Sequence, residues 1–287
     1  RIHEIQQNGT PDIEFAAVGL LSRSQFASGR ADDARHTLEL LRTRFEKQGQ
    51  KRFLPNIDAM LCRIALQTGD LDTAESWYRE KAPRDPQRLN VMKRYQYLTQ
   101  AMAELADGRP DAALLTLAPL RAYCQTCHRH IDGIHLDMLY AIALYRQDDK
   151  VWQEHLLAAL DAAQEFSFIR TISIYGNAAL PLLETLSWDK DSKWGSRLMG
   201  AVRMQASCYP AFLQPPLPHD EELTAAEMQV LRLICADRSN AEIGAILDIK
   251  LPTVKTHVRH ILTKLGVRRR SEAKTAAQKL RLISEEF

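Results

Sequence analysis

Several classes of protein are excluded by what this 287-residue sequence lacks. It has no run of the roughly 18 apolar residues that a transmembrane helix requires and no basic-then-apolar signal segment, so we expect a cytoplasmic protein without a membrane partner. Its five cysteines are an odd number for a disulfide framework and fit a reducing compartment. With 12 glycines and 12 prolines, it has little material for a turn-rich, all-β fold.

Signatures of catalysis are absent as well. No Gly-x-x-x-x-Gly-Lys-Ser/Thr phosphate loop occurs, so we expect no ATP hydrolysis on this chain. Neither a paired set of catalytic acids nor a nucleophile with a base and an orienting group is found, and the strands of a phospho-receiver domain are missing. We predict a protein that is not an enzyme and has no cofactor. Because the chain begins with Arg1 rather than Met, we expect it to be the C-terminal part of a longer protein.

Charge is unevenly distributed, although the whole chain carries a formal charge of only +2. Residues 223–287 contain 12 Lys and Arg against 7 Asp and Glu, whereas the remainder contains 26 against 29. Just before this basic segment, three prolines within residues 214–222 remove amide donors and fix φ. We therefore predict a repeat domain at residues 1–212, a Pro-rich linker at residues 213–222 and a basic domain at residues 223–287.

The first 150 residues contain a motif that recurs about every 40 residues. Gly29, Gly69 and Gly108 each stand five residues before an alanine, and a fourth unit is anchored at Gln147. Apolar residues recur three positions before and nine positions after these anchors, at Phe26, Leu66, Leu105 and Leu144 and at Leu38, Tyr78, Leu117 and Leu156. Glycine at a helix end supplies the left-handed conformation, and alanine lets two helices cross closely. Each unit is therefore predicted to be a helical hairpin.

One hairpin cannot bury its own apolar stripe, so neighbouring hairpins must stack into a solenoid. The pattern resembles tetratricopeptide-type repeats, and the alternative is a chance similarity within an ordinary helical bundle. Residues 170–186 and 192–207 are predicted to form two further helices that cap the stack. Seven aromatic residues either line the inner surface of the solenoid, where a small effector or a regulatory protein would bind, or belong to its core. They are Trp77, Tyr95, Tyr97, Tyr123, Tyr140, Tyr145 and Trp152.

The segment Cys124-Gln125-Thr126-Cys127-His128 has the spacing of a haem c attachment site. That chemistry belongs to exported proteins. Zinc is a second interpretation, with His130 as a fourth ligand, but four ligands within seven residues surround a metal poorly. The third interpretation is that the cysteines pack at the end of a hairpin. We predict no metal site.

The last 65 residues are predicted to form four helices. Thr224 with Glu227, and Ser239 with Glu242, have the spacing of capping boxes that begin the first two helices. Pro252 suits the first position of a third helix, and a fourth runs from about Ser271 to Leu282. Two short helices joined by a tight turn, the second of them basic, are typical of a helix-turn-helix.

The third helix has one apolar and one cationic face. At 100° per residue, Val254, Val258, Ile261 and Leu265 fall on the side that we predict to face the core. The opposite side carries hydrogen-bond donors and no acid, which suits base edges and phosphates in a major groove. Its residues are Lys255, Thr256, Arg259, His260 and Thr263. A plain amphipathic helix with a solvated charged face is the alternative.

These residues resemble the LuxR-type helix-turn-helix family of bacterial transcription regulators. The resemblance runs through Leu223-Thr224, Ser239-Asn240-Ala241-Glu242-Ile243, Thr253-Val254-Lys255-Thr256-His257 and Lys264-Leu265-Gly266-Val267. It implies that Lys255, Thr256 and Arg259 reach base edges. It also implies that four residues, Asn240, Thr253, His257 and Lys264, contact phosphates. The residues predicted to bind double-stranded DNA are Asn240, Thr253, Lys255, Thr256, His257, Arg259, His260, Thr263, Lys264 and Arg270.

The family resemblance also implies a dimer on DNA, which would pair through Ala273, Ala277 and Leu280 of the fourth helix. The sequence departs from the family in having Asp237 instead of Gly and Lys250 instead of a capping Ser. Gly244 inside the second helix is expected to cost about 0.5–1 kcal/mol relative to Ala.

The whole layout resembles the large ATP-binding, maltose-regulator-like subgroup of this family. We therefore predict an all-α protein, a tetratricopeptide-like solenoid followed by a four-helix LuxR-type domain. Its expected function is that of a sequence-specific transcription activator whose repeats sense a small effector or a protein partner. The alternative is a helical-repeat interaction scaffold without specific DNA binding.

Overall fold

The structure is a computed structural model that describes residues 9–85, 89–213, 223–265, 267, 270–280 and 282. Within these residues the regular elements are all helices, which confirms the predicted all-α class. The chain divides into two compact units, Arg1–Pro215 and Pro216–Phe287. Apart from Leu213, the predicted linker lies outside the described residues. None of the helices formed by the described residues has the length and apolar character needed to cross a bilayer.

The described part of the first unit contains four helical hairpins. They are α1 (Pro11–Ala27) with α2 (Ala31–Lys47), α3 (Leu54–Thr68) with α4 (Leu71–Glu80), α5 (Arg94–Ala106) with α6 (Pro110–Thr126), and α7 (His130–Arg146) with α8 (Trp152–Glu165). The first helix of each hairpin from the second onward packs against the first helix of the next. One apolar core extends through the unit, which is the stacked arrangement predicted for a solenoid.

The hairpin turns follow the repeated motif in three units and depart from it in the fourth. Gly29, Gly69 and Gly108 have φ angles of 76°, 80° and 69°, which is the left-handed conformation that glycine adopts without a Cβ clash. In the fourth unit the left-handed residue is Asp148, with φ 56°, and not the predicted anchor Gln147. Asp148 stands two residues after the end of α7, as Gly29 and Gly108 do after α1 and α5, so α7 extends one residue further in the repeat. Aspartate is among the side chains that tolerate this conformation.

The alanines of the motif are buried where the two helices of a hairpin cross. Ala34, Ala74 and Ala113 are at most 3% exposed. Of the two predicted apolar columns, every member is buried except Tyr78, which is half-buried. Small side chains at the crossings and large ones beside them therefore explain the hairpin packing.

The cap of the stack corrects one prediction. Residues 170–186 form two helices, α9 (Arg170–Ser173) and α10 (Gly176–Thr185), instead of one. The break lies where the chain passes closely against α11 (Lys193–Cys208), because a Cβ on Gly176 would lie 3.0 Å from the backbone nitrogen of Ala206. The φ of Gly176 is 37°, which a residue with a Cβ adopts only with strain.

The second unit contains the four predicted helices. They are α12 (Ala225–Cys235), α13 (Asn240–Leu247), α14 (Leu251–Lys264) and α15 (Arg270–Lys279). The third helix begins one residue before Pro252, and the fourth ends three residues earlier than predicted. A separate core joins all four helices, so this unit has the packing of an independent domain.

Candidate nucleic-acid interface

Both predicted capping boxes are formed, and they set the starts of α12 and α13. The Glu227 amide donates to Thr224 Oγ1 at 3.2 Å, and the Thr224 amide donates to Glu227 Oε2 at 2.8 Å. The equivalent distances between Ser239 and Glu242 are 3.3 and 2.7 Å. Each box satisfies amides that a helix start would otherwise leave without partners.

Tight turns follow α12 and α13, and an aspartate takes the left-handed position in each. Asp237 and Asp248 have φ angles of 56° and 51°. Asp237 therefore adopts the conformation that explains why glycine is usual there in the resembled family, and its short polar side chain makes this tolerable. The two turns direct α13 and then α14 onto the domain core.

Gly244 has a role that its position inside a helix does not reveal. A Cβ at this position would lie 2.9 Å from the carbonyl oxygen of Ile249 and 3.6 Å from Cγ2 of Val254. The turn that leads into α14 thus packs directly on the backbone of α13. The expectation that Gly244 is merely a weak helix residue is wrong, because an alanine there would meet backbone atoms that cannot move aside alone.

The two faces of α14 are arranged as its sequence predicts. Val254 and Ile261 are fully buried and Leu265 is 7% exposed, so they hold the helix against α12 and α13. Four residues of the opposite face are exposed: Lys255, Thr256, Arg259 and His260. The side chain of Thr263, also predicted on this face, lies outside the described residues.

The N-terminal end of α14 is also accessible. Thr253 is exposed and His257 is half-buried, while the Thr256 hydroxyl donates to the carbonyl oxygen of Pro252 at 3.1 Å. The exposed part of this helix presents ammonium, guanidinium, imidazole and hydroxyl groups without a carboxylate among its described residues. These are the group types that hydrogen-bond phosphate oxygens and the acceptors of bases.

Lys264 lies in a different environment from the one expected for a phosphate contact. Its ammonium group is 2.8 Å from Oε2 of Glu227, so the end of α14 is tied to the capping box of α12. The Glu227 side chain is only 5% exposed, and His260 Nδ1 lies 3.9 Å from its other carboxylate oxygen. Burial alone would raise the pKa of Glu227, but hydrogen bonds from Lys264 and Thr224 outweigh burial and lower it.

Asn240 and Arg270, also predicted to contact DNA, contact each other. The Arg270 guanidinium donates to Asn240 Oδ1 at 3.0 Å and to the carbonyl oxygen of Arg238. Both side chains are half-buried. This hydrogen-bonded pair joins the start of α15 to the start of α13. It thereby fixes the position of α13, which packs against α14. Contact of either residue with DNA stays a prediction.

The predicted pairing face of α15 is wrong. Ala273 and Ala277 are fully buried in the core of their own domain, and Leu280 packs against the same core. Small apolar residues on this helix allow it to lie close to α12, and that intramolecular role explains their spacing. A dimer would need another surface.

Of the seven aromatic residues predicted to lie either at the inner surface of the repeats or in their core, one lines the cavity between the repeats. The cavity has a volume of about 640 Å³, and Tyr95 is part of its wall. Trp77, Tyr97 and Trp152 are buried in the core. The other three lie outside the cavity lining: Tyr123, Tyr140 and Tyr145.

The cysteines of the haem-like motif belong to different environments. Cys124 is buried and Cys127 is exposed, and burial raises the pKa of the Cys124 thiol to about 11. Such a thiol is a poor nucleophile and a poor metal ligand at neutral pH. Among the described residues, no group of three or more His, Cys, Asp or Glu side chains is placed to hold a metal ion.

Comparison with known proteins identifies both units. Residues 3–189 match the model of the MalT-like TPR region, and residues 221–277 match that of the luxR family of bacterial regulatory proteins. The HTH-type transcriptional regulator MalT of Klebsiella pneumoniae is 26% identical over 291 residues, which is 94% of this chain and 32% of that protein. For MalT of Yersinia pestis the identity is 26% over 298 residues, 96% of this chain and 33% of that protein.

The chain thus spans about a third of the length of the curated relatives that it matches. No solved structure matches it significantly. The first family model covers well over half of the chain, and the second covers the capping boxes and α14. The chain therefore belongs to the family with a MalT-like TPR region, and its C-terminal unit is a domain of the luxR family of bacterial regulatory proteins.

Proposed function

We propose that this chain is a sequence-specific transcription regulator that binds double-stranded DNA through α14. The observation that carries the proposal is the exposed cationic side of α14, held outward by the buried Val254 and Ile261. The match to the luxR family and the names of the relatives, which are transcriptional regulators, support it. A helix of this kind fits the width of the major groove.

Within this proposal the residues of α14 divide into three groups. Lys255, Thr256 and Arg259 reach base edges, and Thr253 and His257 contact phosphates near the start of the helix. The three residues His260, Thr263 and Lys264 follow toward the helix end, where the contact between Lys264 and Glu227 makes Lys264 a positioning residue that sets the angle of α14. Asn240 and Arg270 fix the adjoining helix starts.

The regulator acts by binding and not by catalysis, and it works in the cytoplasm where DNA is accessible. Two copies on one operator would place their recognition helices in successive major grooves, about 34 Å apart. The repeat unit senses a small effector or a protein partner and increases transcription in response. Support for sensing comes from the cavity in the repeats.

The test is selection of duplexes from a random pool with the full chain, followed by binding measurements at two salt concentrations. The selected duplex should bind tightly, and affinity should fall steeply with salt because phosphate counterions are released. An interaction scaffold without specific DNA binding would enrich no sequence, and that result would refute the proposal.

Two variants test the residues of α14. Lys255→Ala and Arg259→Ala should each cost about 1–3 kcal/mol on the selected duplex. Arg197→Ala is the matched control, since it removes one exposed positive charge from the repeat unit. Unchanged affinity in both α14 variants would show that these side chains do not read DNA.

A further inference from the structure

The cavity of the repeat unit lies between the first helices of the hairpins. Its wall includes residues from α1, α3, α5 and α7 and from the segment that leads through α9. Its volume of about 640 Å³ falls in the range that accommodates small organic ligands. A ligand site here deepens the proposed function and rests on it, because the cavity is where an effector would bind.

The charge of the cavity wall is strongly positive. Among the described residues, five arginines line it, against one aspartate, Asp132. The five are Arg23, Arg63, Arg94, Arg129 and Arg170. Asp132 is shared by Arg94 and Arg129, at 2.6 and 3.0 Å. A single carboxylate therefore serves two guanidinium groups and leaves the others without compensation from the wall.

Arg63 is held in place by neutral groups. It donates to Thr99 Oγ1 at 2.7 Å and to the carbonyl oxygen of Tyr95 at 3.1 Å. Its guanidinium carbon lies 3.7 Å from the centroid of the Tyr95 ring. Within the described part of the chain, no ion pair joins Arg63 to a carboxylate. An oriented guanidinium of this kind is prepared for an anion.

Arg170 is in a similar state. It donates to Gln205 Oε1 at 3.0 Å, and no carboxylate of the described residues forms an ion pair with it. Arg170 is partly withdrawn from water, and this burial lowers its pKa. Removing a cation from water without a counter-ion is costly, so an anion bound beside Arg170 would gain a strong interaction.

A histidine and a tyrosine also line the cavity. His135 and Tyr175 lie there, with His135 Nδ1 3.1 Å from the Tyr175 hydroxyl. Burial is the main reason that the pKa of His135 falls to about 3; the charge of Arg63 lowers it further, Asp132 opposes this, and Arg23 adds a smaller lowering effect. The imidazole is therefore neutral, and the arginines supply the charge around it.

Much of the remaining wall is apolar, although a few polar side chains such as Ser22 and Gln67 interrupt it. Leu98, Met102 and Phe212 are buried members of the core that also face the cavity. Phe26 and Phe168 extend this surface on other elements. A ligand that fits must therefore carry an apolar body together with its charge, because a small hydrated inorganic ion would leave this surface empty.

We propose that the cavity binds a small organic anion with an apolar body, whose carboxylate, sulfonate or phosphate group is held by Arg63 and Arg170. Arg23 is exposed at the same wall and attracts the anion as it enters. Because Asp132 already neutralises part of the charge of Arg94 and Arg129, the anionic group favours Arg63 and Arg170. The neutral His135 hydrogen-bonds a polar atom of the ligand, and the fully buried Tyr175 holds the imidazole in place.

Two fluorescent probes of nearly the same shape test this assignment on the full chain. Anilinonaphthalene sulfonate is an anion with an apolar body, and phenylnaphthylamine is its neutral counterpart. We expect one molecule of the sulfonate to bind per chain, more tightly than the amine. Arg63→Gln and Arg170→Gln should each weaken the sulfonate by about tenfold and leave the amine within about twofold.

Controls exclude a general loss of structure. Arg63→Lys keeps the charge and should retain most of the sulfonate affinity, and Arg197→Gln, outside the cavity, should retain all of it. Equal binding of the sulfonate to the wild type and to both Gln variants would overturn the proposal. The proposal would also be overturned if the cavity bound the neutral amine more tightly than the sulfonate and every variant weakened this binding to the same extent.

Binding of the selected duplex by the same variants, without probe, separates this inference from the proposed function. If the wild type does not bind DNA but binds the sulfonate as expected, only the proposed function is refuted. Intact DNA binding with a sulfonate affinity that does not depend on Arg63 or Arg170 would refute only the anion site.

Discussion

At Gly244, helix propensity and tertiary packing predict opposite signs for the change in stability caused by an alanine substitution. Replacing a helical glycine by alanine normally stabilises a protein by about 0.5–1 kcal/mol. At Gly244, however, the new Cβ would lie 2.9 Å from the Ile249 carbonyl oxygen, and overpacking of this kind costs about 1–3 kcal/mol. The contact involves backbone, so no side chain can rotate away. We expect Gly244→Ala to destabilise the second unit by a net amount of about 1–2 kcal/mol.

Hydrogen exchange of the full chain measures this directly. Amides of α13 and α14 should lose protection by about fivefold to thirtyfold in the variant. All four tryptophans precede residue 195, so their fluorescence follows the first unit and should stay unchanged. Gly200→Ala is the matched control, because a Cβ on this residue of α11 would meet nothing within 4 Å, and it should stabilise the first unit. A Gly244→Ala variant as stable as the wild type, or more so, would refute the packing argument.

Three further changes test the second unit. Thr224→Ala and Ser239→Ala should each cost about 0.5–2 kcal/mol, measured by the same exchange experiment, whereas loss of protection in neither would show that the boxes contribute nothing. Glu227→Gln should weaken the contact with Lys264 and so lower the free energy of unfolding of the second unit, measured by urea unfolding followed by circular dichroism. Because the folded pKa of Glu227 is lowered, its contribution is present above the unfolded pKa and disappears as the pH falls through the folded value. A difference between wild type and Glu227→Gln that persists unchanged at the most acidic pH where both still fold would contradict this.

Local signals in the sequence were sufficient for most of the architecture. Gly29, Gly69 and Gly108 are left-handed because only local sterics decide that conformation. The capping boxes at Thr224 and Ser239 form because both partners lie within four residues. The burial of α14 followed from its 3.6-residue period, which needs no knowledge of the neighbouring helices.

The errors arose where long-range packing decides. The break before Gly176 depends on Ala206 of α11, which lies thirty residues later in the chain. The spacing of Ala273 and Ala277 suits a dimer surface or a core equally, and in the structure both residues are buried in the core of the domain. The contact of Lys264 with Glu227 joins residues 37 apart, so the sequence alone could not show that this ammonium is engaged.

The arginines of the cavity were also missed, although the sequence held one signal. Arg23 and Arg63 occupy the same position of the repeat, six residues before Gly29 and Gly69. Equivalent positions of stacked hairpins lie on the same surface of a solenoid. Arg94, Arg129 and Arg170 do not follow this spacing, and only the structure brings them to the same wall.

The central claim is that the exposed side of α14 reads base pairs, and base-by-base substitution of the selected duplex tests it most directly. Wild-type chain should lose about 1–3 kcal/mol when the base pair read by Lys255 is changed. Lys255→Ala should become indifferent to that one position and keep its discrimination at the others. If Lys255→Ala instead retains the full wild-type pattern of base preferences, the claim that α14 reads the groove through this face is contradicted.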